Sequence, residues 1–341
     1  MDRLTVGMIG FGYWAPNIVR NLVNNDRVEL LAMCEASQVR RDAFSSLYPD
    51  IVVCKDIDEL LGGHEVDAVL IATPAATHFS LAKIALEKGK HTFVEKPLTM
   101  RAQDAKELVE LADEKGLILQ VGHLMEYHSA INWIKDYLAS GELGDVLYLY
   151  MQRLNLGKVR TEENAFWSLA PHDVSIALYL MDEAPNRVAA HGAAYLNEGV
   201  EDVVFANLHF ASGKIANIHV SWLDPHKTRK LTIVGTKKML VFDDMEPSEK
   251  IWIYDKGVEA PEMSPGYSQA SLNLRFGGVE SPYIPLKEPL ALEIDHFTDC
   301  CLTGKQPISD GRDGLRVVRV LEAAEQSIAC GGAAIPLEID E

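Results

Sequence analysis

The stretch from Leu4 to Val23 constrains this chain more than any other. Leu4–Ile9 (LTVGMI) is short and almost wholly apolar, the pattern of a strand buried on both faces. Gly10-Phe11-Gly12-Tyr13-Trp14-Ala15-Pro16 comes next, then the helical pattern NIVRNLV. A strand, a GxGxxA loop and a helix in that order open a dinucleotide-binding unit. Gly10 permits the tight turn, Gly12 lets the backbone approach a pyrophosphate, and Ala15 allows close helix–strand packing. Pro16 suits a first helical turn, whose N–H groups point at phosphate. The next strand pattern, Val28–Cys34, ends at Glu35, near the ~20-residue spacing of the acid that accepts ribose hydroxyls. A carboxylate there repels a 2′-phosphate and favours NAD; Arg40 and Arg41, just beyond it, are the residues that would serve NADP.

Helix and strand patterns go on alternating. Helices are expected over Gln38–Leu47, Asp56–Leu61, Ser80–Lys88 and Ala102–Lys115, and strands over Ile51–Cys54, Ala68–Ile71, His91–Val94 and Ile118–Val121. Six strands alternating with helices predict an α/β domain with a doubly wound parallel sheet, complete at residues 1–122. Ligands bind at the carboxyl edge of such a sheet, where Thr73-Pro74 and Glu95-Lys96-Pro97 leave it. Pro97 lacks the N–H needed to continue a central strand. Thr73 and Pro74 are expected to line the cofactor cleft, while His78 either borders it or faces solvent at a helix start. Lys96 beside Glu95 reads either as a surface ion pair, worth at most about 1 kcal/mol, or as a lysine whose proton is used in chemistry.

The pattern then changes. After a helix at Ala130–Ser140, strands are expected over Val146–Leu154, Arg187–Tyr195, Asp202–Phe210, Ile215–Ser221, Lys230–Val234, Met239–Phe242 and Ile251–Tyr254. Helices follow at Leu290–Leu302 and from near Asp313 to Gly331-Gly332. Residues 123–341 are therefore expected to form an α+β domain with a large, mostly antiparallel sheet. Pro261–Pro289, rich in Ser, Gly and Pro, reads as a long loop, a lid or a subunit contact. A net charge of −18 excludes nucleic acid and an anionic membrane surface as partners, since both need a basic face. The five cysteines have no metal-ligand spacing and fit no closed disulfide framework, so no metal is expected and the thiols read as reduced. No apolar run has membrane-spanning length, and the N-terminus runs straight into a strand, which points to the cytoplasm.

GFGYWAPN, the EKP after the fifth strand and WSLAPHD in the second half together resemble the Gfo/Idh/MocA family, which includes glucose–fructose oxidoreductase and inositol dehydrogenase. The resemblance covers essentially the whole chain. It implies an N-terminal Rossmann domain, an open-faced sheet behind it, NAD as cofactor, and a homo-oligomer (dimer or tetramer) built through that sheet. The cofactor residues it implies are Gly10, Phe11, Gly12, Tyr13, Trp14, Glu35, Thr73, Pro74, His78, Glu95 and Lys96. Within the family the chain looks most like nucleotide-sugar 3-dehydrogenases acting on UDP-N-acetylglucosamine or its uronic acid, on GYWAPN, RLNLGKVR, WSLAPHDVS and VGTKKMLVFDD. Carried over, the EKP lysine is Lys96 and the family histidine is His172. The Asp that many members carry four residues before that histidine is Ser168 here, which cannot act as a carboxylate base. Proton transfer is thus expected of His172 or Lys96. His128-Ser129-Ala130, where relatives often have His-Pro-Ala, is a second departure and affects a helix start.

The chemistry agrees with these roles. Moving a hydride from a sugar carbon requires removal of the hydroxyl proton, for which histidine suits neutral pH, and a protonated lysine stabilises the developing alkoxide. Arg153, Lys158 and Arg160 would supply the local cations a diphosphate needs, with Asn155 and Trp167 as a hydrogen bond and an apolar wall for the sugar. The alternatives are a free polyol or sugar such as myo-inositol on the same fold, and a non-catalytic nucleotide-sensing protein.

Overall fold

The computed structural model describes residues 3–157, 159–259 and 273–337. Two compact units form, one of residues 1–128 with 287–322, the other of 129–286 with 323–341. The linear reading had placed one boundary after residue 122. Residues 287–322 fall in the first unit because their helices carry apolar faces that bury there.

In that unit, strands β1 (Leu4–Ile9), β2 (Val28–Cys34), β3 (Val52–Cys54), β4 (Ala68–Ile71), β5 (His91–Val94) and β6 (Leu119–Val121) are all parallel. They lie in the order β3-β2-β1-β4-β5-β6, the doubly wound arrangement expected. Helices α1 (Ala15–Val23), α2 (Gln38–Leu47), α3 (Ile57–Gly63), α4 (His78–Glu87) and α5 (Ala102–Lys115) connect them. All four residues of β4 are fully buried, as a strand covered on both faces must be. Ala15, Ile18, Val19 and Leu22 give α1 one apolar stripe at helical spacing, and the stripe is buried.

Later in the chain, α9 (Pro289–Thr303) buries Leu290, Ile294 and Phe297 in the same core, Phe297 meeting Phe93 edge-on at 5.7 Å. Each such side chain contributes about 1.5–3 kcal/mol of burial, more than enough to hold the segment in this unit. The helix α10 (Gly311–Ala329) begins beside β6, where a side chain at Gly311 would meet Leu119 and one at Gly314 would meet Val121 and Leu98.

The second unit contains α6 (Ser129–Ala139), α7 (Ala165–Leu169) and α8 (Pro171–Met181) with a nine-stranded sheet. Its strands are β7 (Val146–Leu154), β8 (Pro185–Ala193), β9 (Val203–Phe210), β10 (Ile215–Ser221), β11 (Thr228–Gly235), β12 (Met239–Asp243), β13 (Ile251–Glu259), β14 (Asn273–Glu280) and β15 (Ile335–Pro336). Their order is β14-β13-β12-β11-β7-β10-β9-β8-β15, antiparallel throughout except for the β7–β10 pair. Alternation sets the two faces: Val204, Ala206, Leu208 and Phe210 of β9 are buried, whereas Phe205 is 47% exposed. Helices α7 and α8 pack against the sheet at β7, β9 and β10. The loop expected over Pro261–Pro289 lies partly outside the described residues, and its described part contains β14 instead of continuous loop. An exposed edge strand with Arg275, Gly277 and Gly278 has a weak alternating signal, so its pattern was hidden in the sequence.

Candidate active site

At the carboxyl edge of the first sheet, the chain leaves β1 through Gly10, whose φ is +93°. A side chain there would meet Thr73 Cγ2 at 2.7 Å and the Ala72 carbonyl at 2.9 Å, so glycine is required on both counts. Gly12 has open space, with the nearest atom at 3.9 Å. No side chain caps the start of α1 and its first turn holds no acidic residue. An uncapped helix N-terminus facing a glycine loop fits a pyrophosphate, which would accept from those N–H groups. Phe11 is held by an edge-on contact to Phe44 of α2, 5.1 Å between rings. Tyr13 is 97% exposed and Trp14 half-exposed.

Glu35 lies one residue past β2 and is 6% exposed. Its Oε2 accepts from the Phe11 N–H at 2.8 Å and its Oε1 from the Ser37 N–H at 2.8 Å, fixing it between the glycine loop and α2. Each oxygen keeps a second lone pair for a ribose hydroxyl. Arg40 stands 3.6 Å from Oε2, while Arg41 donates to the carbonyls of Glu35 and Ala36 and so caps the end of β2.

Thr73 and Pro74 follow β4, and the Thr77 hydroxyl donates to Thr73 Oγ1 at 2.7 Å. His78 neither faces solvent nor offers a free nitrogen. It is 1% exposed, with Nδ1 2.8 Å from the Pro97 carbonyl and Nε2 3.0 Å from the Thr73 carbonyl, so it ties the two edge loops together. Burial holds its pKa below the ordinary value despite those carbonyls.

Glu95 and Lys96 follow β5, and the Lys96–Pro97 peptide is cis. Part of Glu95 meets solvent, but its carboxyl rests on Gly122, where a side chain would lie 3.2 Å away. That enclosure pushes the carboxyl up to about 7, with the Lys96 charge and N–H, the Trp14 indole and His123 pulling the other way.

Sequence reasoning missed the group directly behind this edge. His123, one residue beyond Gly122, has Nδ1 2.6 Å from Asp313 Oδ2 and 3.5 Å from Glu126 Oε1, all three residues being buried. Among the described residues this is the group whose donor atoms, within 4.8 Å of one another, could hold a metal ion. Burial opposes a charged imidazole, yet the hydrogen bonds and charges of Asp313 and Glu126 prevail and hold His123 up at about 10. Burial and the Asp313 charge push Glu126 up to about 8, against the pull of His123. Burial also works against Asp313, but His123 outweighs it and keeps that carboxylate below its ordinary value. The two carboxylates thus favour the protonated imidazole at His123. The available signal was a histidine two residues beyond β6, the same position relative to its strand that Lys96 has after β5.

In the second unit, α7 and α8 meet at Ala170, which has helical dihedrals. Asn164 caps α7, its Oδ1 accepting from the N–H groups of Phe166 and Trp167 at 3.1 Å each. Ser168 is buried near the end of α7, and His172, half-buried, is the second residue of α8. Trp167 is 3% exposed and its indole N–H donates to Glu325 Oε2 at 3.2 Å, so it is core and not an open wall for a sugar. Arg153 is buried too, its Nε 2.6 Å from Asp173 Oδ2 and its Nη2 3.1 Å from Oδ1. Asn155 is half-buried and Arg160 exposed, the latter paired with Glu163. Lys158 lies outside the described residues.

A six-stranded doubly wound sheet, a glycine loop at an uncapped helix and a fixed carboxylate after the second strand define an NAD-binding Rossmann domain. Two family models match the chain: "Oxidoreductase family, NAD-binding Rossmann fold" over residues 4–123 and "GFO/IDH/MocA C-terminal domain" over residues 131–241. The chain belongs to the Gfo/Idh/MocA family of NAD-dependent oxidoreductases. It is similar to UDP-N-acetylglucosamine 3-dehydrogenase of Acidithiobacillus ferrooxidans, 29% identical over 263 residues, 77% of this chain and 78% of that protein. It is also similar to scyllo-inositol 2-dehydrogenase (NAD(+)) of Bacillus subtilis, 27% identical over 297 residues, 84% and 81% of the two chains. Among solved structures, that of the Acidithiobacillus ferrooxidans enzyme GnnA aligns with a TM-score of 0.82 at 26% identity, over 97% of this chain and 99% of that one. The WlbA dehydrogenase of Bordetella pertussis, solved with NADH and UDP-GlcNAcA, shares the fold with a TM-score of 0.80 at 21% identity, over 99% and 100%. No helix among the described residues is long and apolar enough to cross a membrane.

Proposed function

We propose that the chain oxidises the C3 hydroxyl of a UDP-linked N-acetylhexosamine, UDP-N-acetylglucosamine or its uronic acid, to a 3-keto sugar. What carries the reading is the likeness to the Acidithiobacillus ferrooxidans 3-dehydrogenase, in fold over 97% of the chain and in sequence over 77% of it. A chain of net charge −18 needs local cations to accept a diphosphate, and the segment after β7 offers Arg160, exposed and ahead of the helix that carries His172. Arg153 is withdrawn from that role by its bond to Asp173, and Trp167 from its expected role as an apolar wall for the sugar by its burial.

NAD, when bound, accepts the hydride. Lys96 and His172 are assigned to the hydroxyl proton, His172 taking it and Lys96 stabilising the charge left on oxygen. Glu95 holds the backbone of Lys96, whose N–H donates to Glu95 Oε2 at 3.3 Å. The outer sheet face, with Tyr148, Phe205 and Ile215 exposed and Phe205 stacked on His219 at 4.2 Å, is assigned to a homo-oligomer. Light scattering on a Phe205→Asp variant tests that assignment.

A second reading, a free polyol as substrate, is favoured by the wider span of the inositol dehydrogenase match and by the pairing of Arg160 with Glu163. Mass spectrometry of compounds co-purifying with the protein separates the two. A sugar nucleotide, or the same compound lighter by a pair of hydrogens, supports the first; a polyol supports the second.

A further inference from the structure

Leu149, Met151 and Arg153 project from β7 at alternate positions, and all three are buried. An arginine in the third place of an apolar row needs a reason. Its partner is Asp173, 4% exposed and next to His172 in the first turn of α8. The two side chains meet in a bidentate bond, 2.6 Å from Nε and 3.1 Å from Nη2.

Stability alone does not explain the pair. Desolvating two charges offsets most of their attraction, and apolar residues in such places are often as stable or more so. What the fork does supply is geometry, since planar bidentate contact fixes distance and angle together. The start of α8 is packed, with Pro171 and Val174 buried, but it has no side-chain cap. Its N-cap, Ala170, makes no side-chain cap, and Asp173, the only acidic residue of the first turn, is spent on Arg153 and not on helix N–H groups. One more local bond, from the Ser175 hydroxyl to the His172 carbonyl at 3.3 Å, lies within α8 itself and ties it to nothing outside.

We propose that Arg153 and Asp173 are positioning residues: the pair ties the first turn of α8 to β7 and thereby sets the place of His172. This rests on the reading of His172 as the residue that takes the hydroxyl proton. It also replaces the sequence-based assignment of Arg153 to the substrate diphosphate. A misplacement of about 1 Å in a reacting group costs on the order of a hundredfold in rate, so the pair acts on turnover and not on substrate affinity.

The test is steady-state kinetics with NAD and UDP-N-acetylglucosamine, or scyllo-inositol if that is the compound turned over, together with thermal unfolding. Arg153→Lys keeps the charge but loses the fork, and should lower kcat about tenfold with KM within about twofold. Asp173→Asn should behave alike. Arg153→Met should lose about a hundredfold in kcat and also unfold at lower temperature, since it leaves a buried carboxylate uncompensated. Adding Asp173→Asn to Arg153→Met should restore the melting temperature but not kcat. If Arg153→Met does not fold, Arg153→Lys and Asp173→Asn carry the comparison.

A raised KM with unchanged kcat in Arg153→Lys would overturn the proposal and return Arg153 to the diphosphate. Recovery of kcat together with melting temperature in the double variant would overturn it in favour of a structural role alone. His172→Asn is the control. If it loses turnover while the Arg153 and Asp173 variants keep theirs, only this inference fails; if it keeps turnover, the reading of His172 fails as well.

Discussion

Alkaline pH should loosen the first unit, through the buried group around His123. That imidazole is held at about 10 against an ordinary 6.5, so its contribution is complete below pH 6.5 and is lost as pH rises through 10. Glu126 is raised from 4.5 to about 8, so the folded form also binds this proton more tightly and loses stability as pH climbs from 4.5 to 8. Asp313 runs the opposite way, being lowered, and its contribution is complete above its ordinary 3.8 and constant in this range. One proton held by the folded state alone corresponds to about 1.4 kcal/mol per pH unit. Between pH 6.5 and 8 these two groups together contribute a slope of at most about 2.7 kcal/mol per unit, to which Glu95 and Glu293, also raised by burial, add in the same direction. Glu126→Gln should remove about half of the pair's share. Urea unfolding followed by circular dichroism, repeated from about pH 6 to about pH 9, reads that slope directly. A stability that stays level across the window, or an undiminished slope in Glu126→Gln, would refute the assignment of these protons.

Glu35→Ser should narrow the preference for NADH over NADPH by at least about tenfold, since it removes the carboxylate that repels a 2′-phosphate and leaves Arg40 beside the site; calorimetric titration of both cofactors reads it. Gly10→Ala combines a left-handed backbone with a contact to Thr73, about 1–3 kcal/mol of strain, and should weaken NADH binding in the same titration while Gly12 variants keep the fold. Lys96→Met and His172→Asn should each lower kcat by roughly 10²–10⁴ with NADH affinity nearly unchanged. If Ser168→Ala proves as damaging as either, the proton roles are misassigned.

The first sheet was legible because its central strands, β1 and β4 above all, are buried on both faces and strands alternate with helices from Leu4 to Val121. β1, β2, β4 and β5 fall where the pattern put them. The strand β14 was not legible, because a solvent-facing edge imposes little alternation on Asn273–Glu280. Of the site, Gly10, Gly12 and Glu35 could be named from local spacing, since the loop that uses them is continuous in sequence. The His123–Asp313 bond spans 190 positions and Arg153–Asp173 spans 20, and nothing local marks either pair. Trp167, and the solvent-facing alternative for His78, fail for a related reason: a polar tip in a motif looks available until its partners, Glu325 for the one and two backbone carbonyls for the other, are known.

The measurement that bears most directly on the central claim is NADH formation by the purified chain with NAD and, in parallel, UDP-N-acetylglucosamine, its glucuronate, free N-acetylglucosamine, myo-inositol and scyllo-inositol. Turnover should be fastest with one of the two sugar nucleotides, with a 3-keto product. Faster turnover on either inositol or on the free sugar would contradict the nucleotide-sugar reading while leaving an NAD-dependent dehydrogenase in place.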